Sequence, residues 1–228
     1  MSWTSFENKH LGERCFILGN APSLKLENLS LLKNEKVFVC NRGYHSIELG
    51  LDHYDYYVIT DVGVYTTDAK EIQENSCYPR FYHEGIAKEE SYLAGPREDH
   101  IPIKKLLHLQ KSERKAILNY EFPERFEDGW GKVGTVVLDA ALIAYFMGFK
   151  EIYLLGVDLF YKAGNTHFYK PGWRENNITD NHEPKAKRFI PYFNKFFKKH
   201  GVKFVNLSKG FMLEKLMETD TLENLFKA

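Results

Sequence analysis

Four short polar stretches interrupt apolar runs of this chain, and each is built from residues that bind rather than pack. They are Gly19-Asn20-Ala21-Pro22-Ser23-Leu24, Asn41-Arg42, Asp61, and Gly156-Val157-Asp158. Gly19 lets a ligand approach the backbone closely. Asn20 offers donors and an acceptor, and Ser23 stands where it could cap a following helix while neighbouring N–H groups face an anion. An ordinary strand-to-helix turn has a similar composition, because short glycine motifs recur by chance. A fifth stretch, Gly131-Lys132-Val133-Gly134-Thr135, precedes the most apolar segment. A glycine-containing lead into a helix N-terminus suits a phosphate or a ribose, and it equally suits a tight turn that lets the helix pack. His182 lies among Asp180, Asn181 and Glu183, and His167 lies beside Phe168 and Tyr169. An imidazole titrates near ~6.5, so it can take a proton from a hydroxyl at neutral pH. An isolated surface histidine is the plainer alternative.

Other chemistries leave no trace. The glycine turn is neither G-x-G-x-x-G nor a Walker A loop, which disfavours a nicotinamide dehydrogenase or a P-loop kinase. The chain contains no D-x-D. This leans towards a reaction without a metal, although single carboxylates such as Asp61 and Asp158 could still hold one.

The elements that must position these residues read as strands alternating with helices. Apolar runs at 15–18, 36–40, 54–59, 151–155 and 202–206 are each short and bounded by turn residues, as buried parallel strands are. A stretch at 134–147 is apolar nearly all round and predicts a central buried helix stopped by Gly148. Another at 184–199 begins near Pro184 and ends before Gly201, with Pro191 predicting a kink or break. The expected fold is a doubly wound, mostly parallel, Rossmann-like α/β sheet with helices on both faces and 15–18 as an early central strand. One domain over 1–228 is expected. Segments 84–130 and 161–183 break the alternation and read as lids over the strand ends. Ligands of such sheets sit beyond the carboxyl ends of the strands, where the polar stretches fall.

Charge and composition narrow the partners. Lys and Arg total 31 and Asp and Glu total 31, so no single-signed field marks a nucleic-acid binder. The basic run Lys104, Lys105, His108, Lys111, Arg114, Lys115 reads as a solvated helix face, with an anionic acceptor as the rival reading. The three cysteines, Cys15, Cys40 and Cys77, are scattered without metal or redox spacing. The polar N-terminus has no signal core, and no run is long enough to span a membrane, so a cytoplasmic location is expected.

The stretches Ile17-Leu18-Gly19-Asn20-Ala21-Pro22-Ser23-Leu24 and Cys40-Asn41, with the run from Gly134 through Gly148 to Asp158, resemble the bacterial family 42 sialyltransferases. They are also similar to a related family that includes motility-associated glycosyltransferases and an archaeal hydroxymethylpterin pyrophosphokinase. The resemblance covers the front third and about 134–206. It implies a CMP-linked donor of the sialic acid or Kdo type, no metal, and a histidine base. It assigns nucleotide contacts to Asn20, Ser23, Asn41, Gly134 and Thr135, to which the strand-end positions of Gly19 and Asp158 add two more candidates, the base to His182, and a donor-phosphate hydroxyl to Tyr161, with His167-Phe168-Tyr169 where a second tyrosine is sought. Lys132-Val133 stands where the family has threonine-serine, a departure that bears on the sugar more than on the nucleotide. Implied partners are a nucleotide-sugar donor and a glycan or glycolipid acceptor. Peripheral contact at the inner face of the membrane and self-association are further expectations, and no nucleic acid is expected. Two rival readings are a magnesium-dependent diphosphokinase using Asp61 and Asp158, and a nucleotide-binding module without catalysis.

Overall fold

The computed structural model describes residues 2–75, 79–83, 86, 100–103, 130, 133–158, 166–170, 183–209 and 216–227, with backbone alone at 100–103, 183, 185 and 186. Among these, eight strands form one sheet: β1 (Arg14–Leu18), β2 (Lys36–Cys40), β3 (Tyr56–Ile59), β4 (Arg80–His83), β5 (His100–Ile103), β6 (Glu151–Leu155), β7 (Lys203–Asn206) and β8 (Glu218–Thr219). Their order is β5-β4-β3-β2-β1-β6-β7-β8. Every pairing is parallel, with Ile17 of β1 facing Phe38 of β2 on one side and Leu154 of β6 on the other.

Burial on both faces explains the apolar strands. Cys15 and Ile17 point into one core and Phe16 and Leu18 into the other, and all four are fully buried. The first core is covered by α2 (Val136–Phe146) and α3 (Glu183–Lys199). Helix α2 is apolar all round because it packs on the sheet at β1 to β3 while Trp3, Trp130 and the neighbouring α3 cover its other sides. Helix α3 is one-sided and buries Ile190, Phe193, Phe196 and Phe197. It continues through Pro191 rather than breaking. Pro191 is on the exposed side, where a lost backbone hydrogen bond can be replaced by water.

The second core is covered by α1 (Val62–Asn75), the short α4 (Leu222–Leu225), and 3-10 turns at Pro22–Leu26, Leu29–Leu32 and Asn41–Leu49. Ser23 is not the cap of the turn that follows β1. Pro22 takes the first helical position and Ala21 the cap position, without a side-chain bond.

The N-terminal residues are part of the fold rather than a polar lead. Trp3 and Phe6 are buried in the first core. The amides of Asn8, His10 and Gly12 donate to the carbonyls of Phe146 (3.1 Å), Met147 (2.7 Å) and Gly148 (3.0 Å), closing the end of α2. His10 stacks on Phe149 and hydrogen-bonds the Tyr56 hydroxyl at 2.5 Å. Burial pushes its pKa below the ordinary histidine value, against the pull of Glu13.

Two strands begin later than the sequence pattern suggests, at Tyr56 and Lys203. The 84–130 segment is not wholly irregular. It supplies β5, the buried Ile86, and the buried Trp130, whose indole donates to Asp139 of α2 at 2.8 Å. Its remaining residues, including the basic run, lie outside the described residues, as does Cys77. No helix among the described residues is long and apolar enough to cross a membrane.

Candidate functional site

The strand order reverses its direction of growth at β1. Strands β2 to β5 extend one way and β6 to β8 the other. The carboxyl ends of β1 and β6 therefore diverge into a crevice, the usual ligand position in open α/β sheets. The glycine turns at these two ends are pressed together. A Cβ on Gly19 would lie 2.4 Å from the Gly156 carbonyl oxygen, and one on Gly156 would lie 3.0 Å from the Gly19 oxygen. The Gly19 and Ala21 amides donate to Leu155 (2.8 Å) and Gly156 (3.0 Å). Any larger residue would force the turns apart.

Asp158 ties the same two turns through its carboxylate. It accepts the Ser23 amide at 3.2 Å and the Ser23 hydroxyl in a shorter bond. Burial raises the Asp158 pKa, and the two Ser23 bonds oppose the rise. The loop before it is braced from β7. The Ser208 hydroxyl accepts the Val157 amide at 2.9 Å, and Asn206 donates to the Val157 carbonyl at 3.4 Å. Sequence reasoning missed Asn206 and Ser208. Their signal was two small polar residues at the end of an apolar strand, a pattern common in any turn.

Asn20 and Asn41 meet across the ends of β1 and β2. The Asn20 amide donates to the Cys40 carbonyl at 2.9 Å, the residue just before Asn41. Asn41 adopts a left-handed φ of 50°, and its carbonyl accepts the Tyr57 hydroxyl at 2.6 Å. The side-chain oxygens of both asparagines are buried and have no hydrogen-bond partner. Next to them Arg42 pairs with Asp68 of α1, Nε to Oδ2 at 2.6 Å, with both side chains nearly buried.

The segment Thr166–Lys170 docks on these turns. The Phe168 amide donates to the Asn20 carbonyl at 3.0 Å, and the Phe168 ring is buried in the second core. The Tyr169 ring lies between His167, stacked at 5.0 Å, and the Arg42 guanidinium at 5.7 Å. His167 Nδ1 is 2.9 Å from the Thr166 hydroxyl. His167 is thus gathered with Asn20 and Arg42. His182 and Tyr161 lie outside the described residues, as does the rest of the 161–183 segment up to Glu183, where α3 begins.

Gly134 and Thr135 have visible packing roles. Gly134 has a φ of 95°, and a Cβ there would meet the Phe189 ring of α3 at 2.7 Å. The Thr135 hydroxyl caps α2 by accepting the Leu138 amide at 3.4 Å. The tight-turn reading of this stretch is therefore realised, whatever else it contacts. Asp61 caps α1 by accepting the amides of Gly63 (2.8 Å) and Val64 (3.1 Å). It stands three strand spacings from Asp158, roughly 14 Å along the sheet, too far for both to bind one cation.

No protein-family model matches the chain, and no curated protein matches it either. Solved structures share its fold. The sialyltransferase CstII from Campylobacter jejuni, in complex with a substrate analogue, cytidine-5'-monophosphate, aligns with a TM-score of 0.57 at 18% identity, covering 92% of this chain and 85% of that one. The same enzyme in complex with a trisaccharide acceptor and CMP gives 0.55 at 18% identity, over 91% and 86%. The MAf glycosyltransferase from Magnetospirillum magneticum AMB-1 gives 0.59 at 15% identity, over 96% of this chain and 35% of that one. At these identities the likeness is one of fold.

Proposed function

We propose that the chain is a glycosyltransferase that moves an acidic, sialic acid-like or Kdo-like sugar from a CMP donor to a glycan or glycolipid hydroxyl. The observation that carries this reading is the pair of buried, unpartnered oxygens, Asn20 Oδ1 and Asn41 Oδ1, at neighbouring strand ends. A buried acceptor left unpaired costs about 1–3 kcal/mol. A nucleoside carries ribose hydroxyls and a base amino group that satisfy such acceptors. Support also comes from the shared fold of CstII, which binds CMP and a trisaccharide acceptor.

In this reading the acceptor oxygen attacks the anomeric carbon and the bond from that carbon to the CMP phosphate breaks. CMP leaves with the bonding electrons on its phosphate oxygen, and the hydroxyl proton passes to the neutral imidazole of His182. Tyr161 and His167 donate hydrogen bonds to the departing phosphate. Asp158 sits close to an anion in this arrangement. The two hydrogen bonds that it accepts from Ser23 partly offset its negative charge. No step is routed through a metal.

The test is calorimetric binding of CMP in the presence of EDTA, followed by turnover of a CMP-linked acidic sugar in the same buffer. Binding and turnover that survive chelation support the proposal. ATP binding only with magnesium, and no CMP binding, would replace it with the phosphotransferase reading.

A further inference from the structure

Glu27 is a buried carboxylate that the transfer reaction does not use. It closes the 3-10 turn Pro22–Leu26, the turn that carries Ser23, and its amide donates to the Leu24 carbonyl at 3.2 Å. Its side chain is fully buried. Oε1 accepts the Lys209 amide at 3.0 Å. Oε2 has no hydrogen bond and lies 3.5 Å from the Lys209 ammonium. That ammonium is already held by the Leu26 carbonyl at 2.9 Å and by Glu223 of α4 at 2.5 Å.

These contacts complete a closed circuit around three strand ends. Ser23, after β1, bonds to Asp158, after β6. The Val157 amide donates to Ser208, after β7, at 2.9 Å. The next residue, Lys209, returns the path to Glu27, on the same turn as Ser23. Leu24, between them, packs on Gly156, where an added Cβ would lie 3.0 Å from the Leu24 Cβ. An open chain of hydrogen bonds lets each turn swing on its neighbour, whereas a closed and satisfied one holds all of them. Stabilisation by an ion pair is the plainer role for Glu27, and its electrostatics oppose it. Burial pushes its pKa above the ordinary glutamate value, Lys209 pulls it back only in part, and Glu223 adds to the rise. A carboxylate whose pKa rises on folding lowers stability at neutral pH, and that penalty fades as pH falls towards the ordinary value. What Glu27 supplies at neutral pH is therefore an acceptor atom rather than a stabilising charge.

We infer that Glu27 is a positioning residue for the donor site. By accepting the Lys209 amide it keeps Ser208 on the Val157 amide, and so fixes the Val157-Asp158 turn against Ser23. The inference deepens the glycosyltransferase reading and rests on its assignment of CMP to these turns, whereas the circuit itself can be tested without ligand.

The experiment compares full-length wild type, E27M, E27Q, S208A and E27M/S208A by calorimetric titration with CMP, well below each melting temperature. E27M fills the space but removes the acceptor. Its effect cannot exceed the loss of one hydrogen bond, so CMP affinity should fall by about two- to tenfold. E27Q keeps an acceptor oxygen and should restore most of that affinity, with a Tm at neutral pH no lower than that of wild type. S208A should weaken CMP by a similar factor. E27M/S208A should be no weaker than S208A, because the brace from Glu27 then no longer reaches Val157. Without ligand, hydrogen exchange of the Val157 amide should be faster in E27M and S208A. A lower Tm of E27M with unchanged CMP affinity would make Glu27 merely structural and overturn the proposal. So would equal losses in E27M and E27Q, or additive losses in the double variant. If E27M does not fold, an S208A protein with wild-type CMP affinity and wild-type Val157 exchange overturns it instead. Wild type that does not bind CMP refutes the glycosyltransferase reading, and Val157 exchange then decides the circuit alone.

Discussion

The close contact between the two glycine turns makes Gly19→Ala a sharp test of how the site is built. The new methyl would lie 2.4 Å from the Gly156 oxygen and 3.0 Å from Val157 Cγ2. Ordinary van der Waals contact requires nearly 1 Å more. Beside the Ser23–Asp158 bonds, two backbone hydrogen bonds join the turns at the point of contact, from Gly19 to Leu155 and from Ala21 to Gly156. Weakening both loses about 1–2 kcal/mol, and overpacking adds about 1–3 kcal/mol. The sum is about 2–5 kcal/mol, which in a chain of this size lowers Tm by roughly 5–15 °C. The strain falls where β1 and β6 part, so CMP affinity should fall with stability. The matched control is Gly12→Ala. Gly12, unlike Gly19, has a positive φ, of 86°, and nothing lies within 4 Å of its Cβ position. Its cost should be about 1–2 kcal/mol from backbone conformation alone. Differential scanning calorimetry of both variants separates crowding from conformation. A Gly19→Ala melt within 2 °C of that of Gly12→Ala would refute the reasoning.

Two further predictions concern histidines. His182→Ala should lower turnover by roughly two to four decades with CMP affinity little changed, and wild-type turnover should fall at acid pH as the base becomes protonated. His167→Ala should instead weaken donor binding, so near-normal turnover of His182→Ala would leave His167 as the residue to test. For His10 the folded pKa lies below the ordinary 6.5. The unfolded chain therefore binds more protons as pH falls through 6.5, and the stability contributed by the neutral ring is lost in that direction. The margin in Tm of wild type over His10→Gln should shrink from pH 8 to pH 5, and a margin that widens there would reject the assignment.

Much of the sheet was legible because its strands are buried on both faces. Runs such as CFIL at 15–18 and KVFVC at 36–40 have no reason to be continuously apolar otherwise. Strands β4 and β5 were not legible. They are four residues each, RFYH and HIPI, and charge and proline mask the pattern. The turns at Gly19, Asn41 and Asp158 could be found because strand ends in a parallel sheet collect ligand-binding residues. What Ser23 and Gly134 do could not be read, since it depends on partners far along the chain, Asp158 and Phe189. Nothing in the polar N-terminal stretch marks Trp3 and Phe6 as core residues, because the rings that bury them, Phe81, Trp130 and Phe146, come more than seventy residues later.

That same N-terminal closure has a consequence for the order of folding. The amides of Asn8, His10 and Gly12 can find their carbonyls only after residues 146–148 exist, and β1 meets β6 only after Leu155. Strands β2 to β5 can join β1 one after another by shorter loops, whereas the central seam must wait for the longest loop closure in the described sheet. Closing such a loop costs entropy before any contact repays it. Until then the growing chain carries an open β1 edge, with its N-terminal aromatics uncovered, and such exposed edges and aromatics are where association between nascent chains begins.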